Sequence, residues 1–293
     1  MRRSFANLTL LFAAFVWGTA FVAQTTAMED VGPFLFTGLR FLLAAAAILP
    51  LVLRERRRGA AMDRTGRRLA IATAITFFAG SILQQIGLQY TSVTNAGFLT
   101  GLYVVLVPFV AWAVFRSMPH AVAWPAATMS FAGTILLSGG GIAPLGLGDG
   151  LMVVAAVFWA LQVALLSYTA ARTGRPVTVA FVQFAIGGLL GTAIAPFAEP
   201  IEMDRIAAAG VEILYAGLLS GGVGYTLQAI GQRWTPPADA AVILSSEALF
   251  AAAAGALLLG ERLTIIGLAG AMLIMVAILT VQLAPLAFRP ARN

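Results

Sequence analysis

Apolar runs separated by short polar or proline-containing connections follow one another along the whole chain. A helix needs roughly 20 apolar residues to cross about 30 Å of hydrocarbon. Runs of that length predict ten spans, at about 7–28, 33–53, 69–89, 94–115, 121–138, 149–170, 177–198, 210–231, 238–259 and 264–285. Pro33, Pro176 and Pro237 stand where helices should start, positions at which a missing backbone N–H leaves no bond unmade. The first span follows Met1-Arg2-Arg3. Its apolar run exceeds the roughly 7–15 residues of a secretory leader, so it is expected to remain as a membrane helix.

The spans carry a repeat. Ile86-Gly87 returns as Ile230-Gly231, Tyr90-Thr91 as Trp234-Thr235 and Ala96 as Ala240, all at one constant spacing. Near the front of each copy, Ala-Phe-Val-Trp17 returns as Ala-Val-Phe-Trp159. Residues 1–144 and 145–293 are therefore expected to be two five-helix repeats. Five is odd, so the second repeat must sit upside-down relative to the first. An inverted pair has two mirror-related shapes, one open to each side, with a binding site near the midplane between the halves. A transporter needs that pair of shapes, whereas a channel or an enzyme does not.

Composition agrees with an all-α membrane protein. Of the 293 residues 60% are hydrophobic and 10% charged, against about 25% charged in soluble domains. The chain has no cysteine, which excludes a disulfide framework, a thiol nucleophile and a cysteine-based metal site. Every basic residue is arginine and alanine is abundant, the composition of a GC-rich bacterial genome, so the expected location is a bacterial inner membrane. The net charge of +6 would suit nucleic acid, but its placement argues otherwise. With both termini cytoplasmic, all arginines fall on the inner side except Arg205 and Arg262 outside and Arg40 within a span. Short basic loops stay in the cytoplasm, so the basic 54–68 loop reports topology and no nucleic-acid partner is expected.

Trp17-Gly18 in span 1, Arg40-Phe41-Leu42-Leu43 in span 2, and Ser246-Glu247 followed by Leu259-Gly260-Glu261-Arg262-Leu263-Thr264 stand in this order along the chain. Together these motifs resemble the drug/metabolite transporter superfamily, in its ten-helix EamA-like branch. The family commonly has proline after the span-9 glutamate, where this chain has Ala248. The resemblance implies export of amino acids, drugs or other small metabolites, with spans 1, 3, 4, 6, 8 and 9 walling a cavity. Length and aromatic content are similar to the YddG-type aromatic amino-acid exporters.

Glu247 lies about 14 Å into span 9 at 1.5 Å per residue, near the midplane. An acid at that depth is costly and points to function. It has three readings: a structural ion pair with Arg40, about 10 Å below the outer surface; a proton carrier; or a direct partner for a substrate amine. Around it, helical spacing groups Trp17, Phe21 and Gln24 in span 1 and Trp159, Gln162 and Leu166 in span 6. It likewise groups Phe77, Ser81 and Gln84 in span 3 and Tyr225 and Gln228 in span 8. Aromatics with uncharged hydrogen-bonding groups suit a zwitterion with an apolar side chain. Trp17 and Trp159 lie too deep for an interfacial belt, which Trp112, Trp124 and Trp234 fit better. Pro108 is expected to kink span 4 as a hinge. Gly97-x3-Gly101, Gly187-x3-Gly191 and Gly217-x3-Gly221 are small-residue packing patterns.

These features favour a secondary transporter that exports amino acids or similar small metabolites by alternating access. A proton-coupled drug or organic-cation antiporter is the alternative, although span 1 lacks a carboxylate. From other classes come an intramembrane lipid-acting enzyme, which needs a catalytic constellation not visible here, and a membrane scaffold, which needs no inverted repeat. His120 is the only histidine, so no metal site is expected. No cofactor is expected either. Small molecules and membrane lipid are the expected partners, and the oligomeric state is not legible.

Overall fold

The computed structural model describes residues 3–57, 61–91, 93–116, 118–137, 146–258 and 264–287. Among them every regular element is helical. Helices α1 (Arg3–Ala27), α2 (Pro33–Arg57) and α3 (Arg64–Gly87) are long and single. The next expected span, 94–115, is instead two helices, α4 (Val93–Thr100) and α5 (Tyr103–Phe115). Helix α6 (Ala123–Leu137) precedes the long α7 (Leu147–Thr173) and α8 (Pro176–Ala198), and a short α9 covers Met203–Ala208. One rod then runs through α10 (Gly210–Leu214), a π-helical stretch (Tyr215–Tyr225) and α11 (Thr226–Gln232). The ninth expected span is again broken, into α12 (Pro237–Leu244) and α13 (Glu247–Leu258), before α14 (Ile265–Ala287). Among the described residues six stretches are long and apolar enough to cross a membrane: Pro33–Arg57, Arg64–Gly87, Leu147–Thr173, Pro176–Ala198, Gly210–Gln232 and Ile265–Leu283. Tyr103–Phe115 and Ala123–Leu137 are shorter apolar helices.

Local chemistry sets several ends. Helices α2, α8 and α12 begin at the three prolines singled out above. Asp63 caps α3 by accepting the Gly66 N–H at 2.7 Å. Gly174, with φ of +67°, ends α7 in the left-handed region that favours glycine. Helices α2 and α8 cap each other. Glu55, in the last turn of α2, accepts the Val177 and Thr178 N–H groups of α8 at 3.2 and 2.8 Å. Glu199, just past α8, accepts the Phe34 and Leu35 N–H groups of α2. Each carboxylate thus meets the positive end of the facing helix dipole. Between the caps the two backbones touch: a Cβ on Gly38 would lie 2.6 Å from the Thr192 nitrogen, and one on Gly188 2.8 Å from the Leu42 nitrogen.

The two halves interleave. Helix α1 packs on the 210–232 rod and on α12 and α13, all from the second half. Helix α7, the equivalent of α1, packs on α3, α4 and α5 of the first. The likeness reaches single contacts. A Cβ on Gly87 would press on Met152 at 2.8 Å, and one on Gly231 would press on Leu10 at 2.7 Å. Thr91 donates to Asp149 at 2.5 Å, as Thr235 donates to Asn7 at 3.0 Å. Gly97, expected to be a packing glycine, faces open space instead.

Candidate functional site

Both broken helices break at equivalent positions and in the same way. At Gly101-Leu102 the Leu102 N–H bonds the Leu99 carbonyl (3.2 Å) and the Val104 N–H the Gly101 carbonyl (3.1 Å). At Ser245-Ser246 the Ser246 N–H bonds the Ile243 carbonyl (3.2 Å) and the Ala248 N–H the Ser245 carbonyl (3.1 Å). These are i→i−3 bonds, the tighter turn that interrupts an α-helix. The serine hydroxyls bond back to the Val242 and Ile243 carbonyls at 2.6 and 2.7 Å. Tyr103 opens α5 as Glu247 opens α13. Interrupted helices at matching positions of two repeats mark binding sites in transporters, because the interruption frees polar groups at mid-depth. Pro108, the expected hinge of span 4, lies inside the continuous α5, and the break in that span falls upstream of it.

A cavity of about 50 Å³ lies at the two breaks, lined by Trp17, Gln24, Gln84, Thr100, Tyr103, Trp159, Val163, Ser220, Tyr225, Gln228, Leu244 and Glu247. That is room for a few water molecules, so a metabolite enters only if the walls part. The aromatic rings form one assembly. Tyr225 lies 4.5 Å from Trp17 and stacks on Trp159 at 6.0 Å and 9°. The Trp17 indole N–H donates to the Ser220 carbonyl (3.2 Å), and that of Trp159 to Gln84 Oε1 (2.8 Å). Glycines let the tryptophans lie flat on the facing helices. A Cβ on Gly224 would be 2.6 Å from the Trp17 ring, and one on Gly80 3.2 Å from that of Trp159. Gly18 does the same for the acid: a Cβ there would be 2.7 Å from the Glu247 carbonyl oxygen.

Of the residues expected to form the site, Trp17, Gln24, Gln84, Trp159, Tyr225, Gln228 and Glu247 line this one cavity. Phe77 stands behind it, its ring 4.9 Å from Tyr225 and edge-on. Gln162 is also a layer back, donating to Gln183 at 2.7 Å and accepting from Gln228 at 3.5 Å. Ser81 is buried outside the lining. Phe21 lies in α1, with its side chain outside the described residues. Arg40 and Glu247 are not among the described ion pairs. Arg40 instead donates to Gln24 Oε1 at 2.9 Å and lies over the Phe36 and Phe41 rings at 5.0 and 4.6 Å. Glu247 has no hydrogen-bond or ion-pair partner among the described residues. Thr100 Oγ1 and Gln228 Oε1, both buried at the cavity, also lack one. Among the described residues no cluster of His, Asp or Glu could hold a metal ion. Thr100 and Tyr103 were missed by the pattern of span 4, which reads as featureless apolar sequence. Carrying the repeat spacing back from Glu247 would have found Tyr103.

Residues 4–139 and 146–283 each match the EamA-like transporter family. The chain belongs to that family. A relative from Archaeoglobus fulgidus, named an uncharacterized transporter, is 33% identical over 286 residues, covering 97% of this chain and 87% of its own. The uncharacterized transporter YwfM of Bacillus subtilis is 26% identical over 299 residues, covering 97% of this chain and 96% of its own. A named S-adenosylmethionine/S-adenosylhomocysteine transporter from Chlamydia muridarum is 26% identical over 113 residues, 39% of this chain and 36% of that protein. A crystal structure 18% identical in sequence superposes with a TM-score of 0.79, covering 99% of this chain and 100% of the other. At that identity the likeness establishes the fold alone. The chain is a multi-pass membrane protein of a transporter family, with a small cavity at its centre.

Proposed function

We propose that this protein is a secondary transporter that exports amino acids or similar small metabolites across a bacterial inner membrane by alternating access. In this reading the chain makes ten spans as two inverted five-helix repeats, 1–144 and 145–293, with both termini in the cytoplasm. The observation that carries it is the cavity wall. Trp17 and Trp159, Gln84 and Gln228, and the two helix breaks come in equivalent pairs, one from each half. A site shared evenly between two inverted halves can be opened to either side by the same motion. Aromatic faces with amide groups suit a small zwitterion. The unpartnered Glu247 favours a second reading, an organic-cation antiporter in which that carboxylate meets the cation.

The test uses purified protein in liposomes and a panel of labelled amino acids, S-adenosylmethionine and lipophilic cations, with and without a pH gradient. Movement of a neutral amino acid without an imposed gradient is the expected result. Cation movement that requires the gradient, with no amino-acid movement, would replace this reading by the second.

A further inference from the structure

Eight of the twelve residues in the cavity wall form equivalent pairs, while Gln24, Val163, Ser220 and Tyr225 have no counterpart in it. The equivalent pairs in its wall are Trp17 with Trp159, Gln84 with Gln228, Thr100 with Leu244, and Tyr103 with Glu247. Only the last pair differs in charge. Glu247 is the only carboxyl group in the lining, while the nearby cation, Arg40, is held by Gln24 and the Phe36 and Phe41 rings. Tyr103 and Glu247 each open a half-helix, so a carboxylate at either position sits at the positive end of a helix dipole. A carboxylate ion with no partner in a small cavity walled by aromatic rings is disfavoured, whereas one facing an ammonium is not. The tryptophan and tyrosine faces add attraction for the same positive head. The buried, unpartnered Thr100 Oγ1 and Gln228 Oε1 offer further acceptors beside it.

We infer that the protein selects substrates carrying one protonated amine on a flat apolar body, with the ammonium at Glu247, and that Tyr103 is the vacant mirror position for that charge. This deepens the amino-acid reading above and rests on it. The amine fixes which way round the substrate lies. The paired Trp17 and Trp159 faces would hold the same body turned end for end if the carboxylate stood at position 103.

Proteoliposome transport tests this with phenylalanine, phenethylamine, N-acetylphenylalanine and 3-phenylpropionate. The wild type is expected to carry the first two at least ten-fold faster than the last two. Glu247→Gln, which keeps shape and loses charge, and Glu247→Tyr should each lower phenethylamine transport at least ten-fold. Adding Tyr103→Glu to Glu247→Tyr should restore transport to within about three-fold of the wild type, with N-acetylphenylalanine still refused. Phenethylamine carried by Glu247→Gln at the wild-type rate, or 3-phenylpropionate carried as well as phenethylamine, overturns the inference while leaving amino-acid transport standing. A wild type that carries no amino acid removes the parent reading and this one together. The isosteric Glu247→Gln keeps the test decisive if the double variant does not fold.

Discussion

Gly224→Ala and Gly80→Ala make the same change beneath the two equivalent tryptophans, and the structure assigns them different costs. At Gly224 the new methyl lies 2.6 Å from Trp17 Nε1, against an ordinary contact of 3.4 Å, so the indole must retreat by about 0.8 Å (3.4 − 2.6). Trp17 has little freedom to do so, with the Tyr225 ring 4.5 Å away. Ser220, whose carbonyl takes the Trp17 N–H at 3.2 Å, lies on the same helix as Gly224, so retreat stretches that bond. Losing a buried hydrogen bond costs about 1–3 kcal/mol, and overpacking costs about 1–3 kcal/mol more. Alanine's better helix propensity returns about 1 kcal/mol. The net expectation is a loss of about 1–5 kcal/mol. At Gly80 the shift needed is only about 0.2 Å (3.4 − 3.2), and the Trp159 N–H bonds Gln84, whose flexible side chain can follow. There the propensity gain offsets the crowding to within about 1 kcal/mol. Thermal unfolding in detergent, followed by size exclusion, should drop on the order of 5–10 °C for Gly224→Ala and by about 2 °C or less for Gly80→Ala. Equal drops, or a larger one for Gly80→Ala, would refute the geometric argument.

Other variants follow from the capping and the cavity. Glu55→Ala and Glu199→Ala each remove a carboxylate from a helix start and should cost similar amounts, about 1–3 kcal/mol, read by the same melts; a large inequality would count against the mutual capping. Asp63, held below the usual aspartate value by the Gly66 N–H and then by Arg172, stabilises the fold only while ionised. Its stabilising contribution is present above the ordinary value of 3.8 and is lost as pH falls through its lower folded value, so wild type and Asp63→Ala should converge in melts taken down to that range. Because the chain lacks cysteine, Thr100→Cys places a single thiol at the cavity. Its labelling by a maleimide should slow several-fold when a transported substrate is added, and an unchanged rate would argue that substrate binds elsewhere.

Much of the site was legible in the sequence because duplication repeats its signals. Trp17 and Trp159, or Gln84 and Gln228, are unusual residues for apolar helices, and finding each twice marked the faces that meet. Glu247, expected near the midplane from its depth along the helix, lines the cavity. That Arg40 meets Gln24 was not legible, since side-chain reach between neighbouring spans depends on rotation about each axis. The breaks in spans 4 and 9 escaped notice because Gly101-Leu102 and Ser245-Ser246 are ordinary in membrane sequence, whereas Pro108 drew attention and leaves α5 unbroken. Nor did hydropathy reveal the π-helical stretch, which occupies the glycine-rich Tyr215–Tyr225 segment.

The exchange of partners between α1 and α7 has a consequence for how such a gene can be handled. Severed between the repeats, neither fragment would hold a finished wall: the first would lose the chief partners of α1, and the second would keep α7 on α8, α11 and α12 but without α3, α4 and α5. Each orphan helix has the surface that the other fragment's vacancy fits, so the pieces should reassemble when made together. Two copies of a single piece could meet the same need by lending their leading helices to one another.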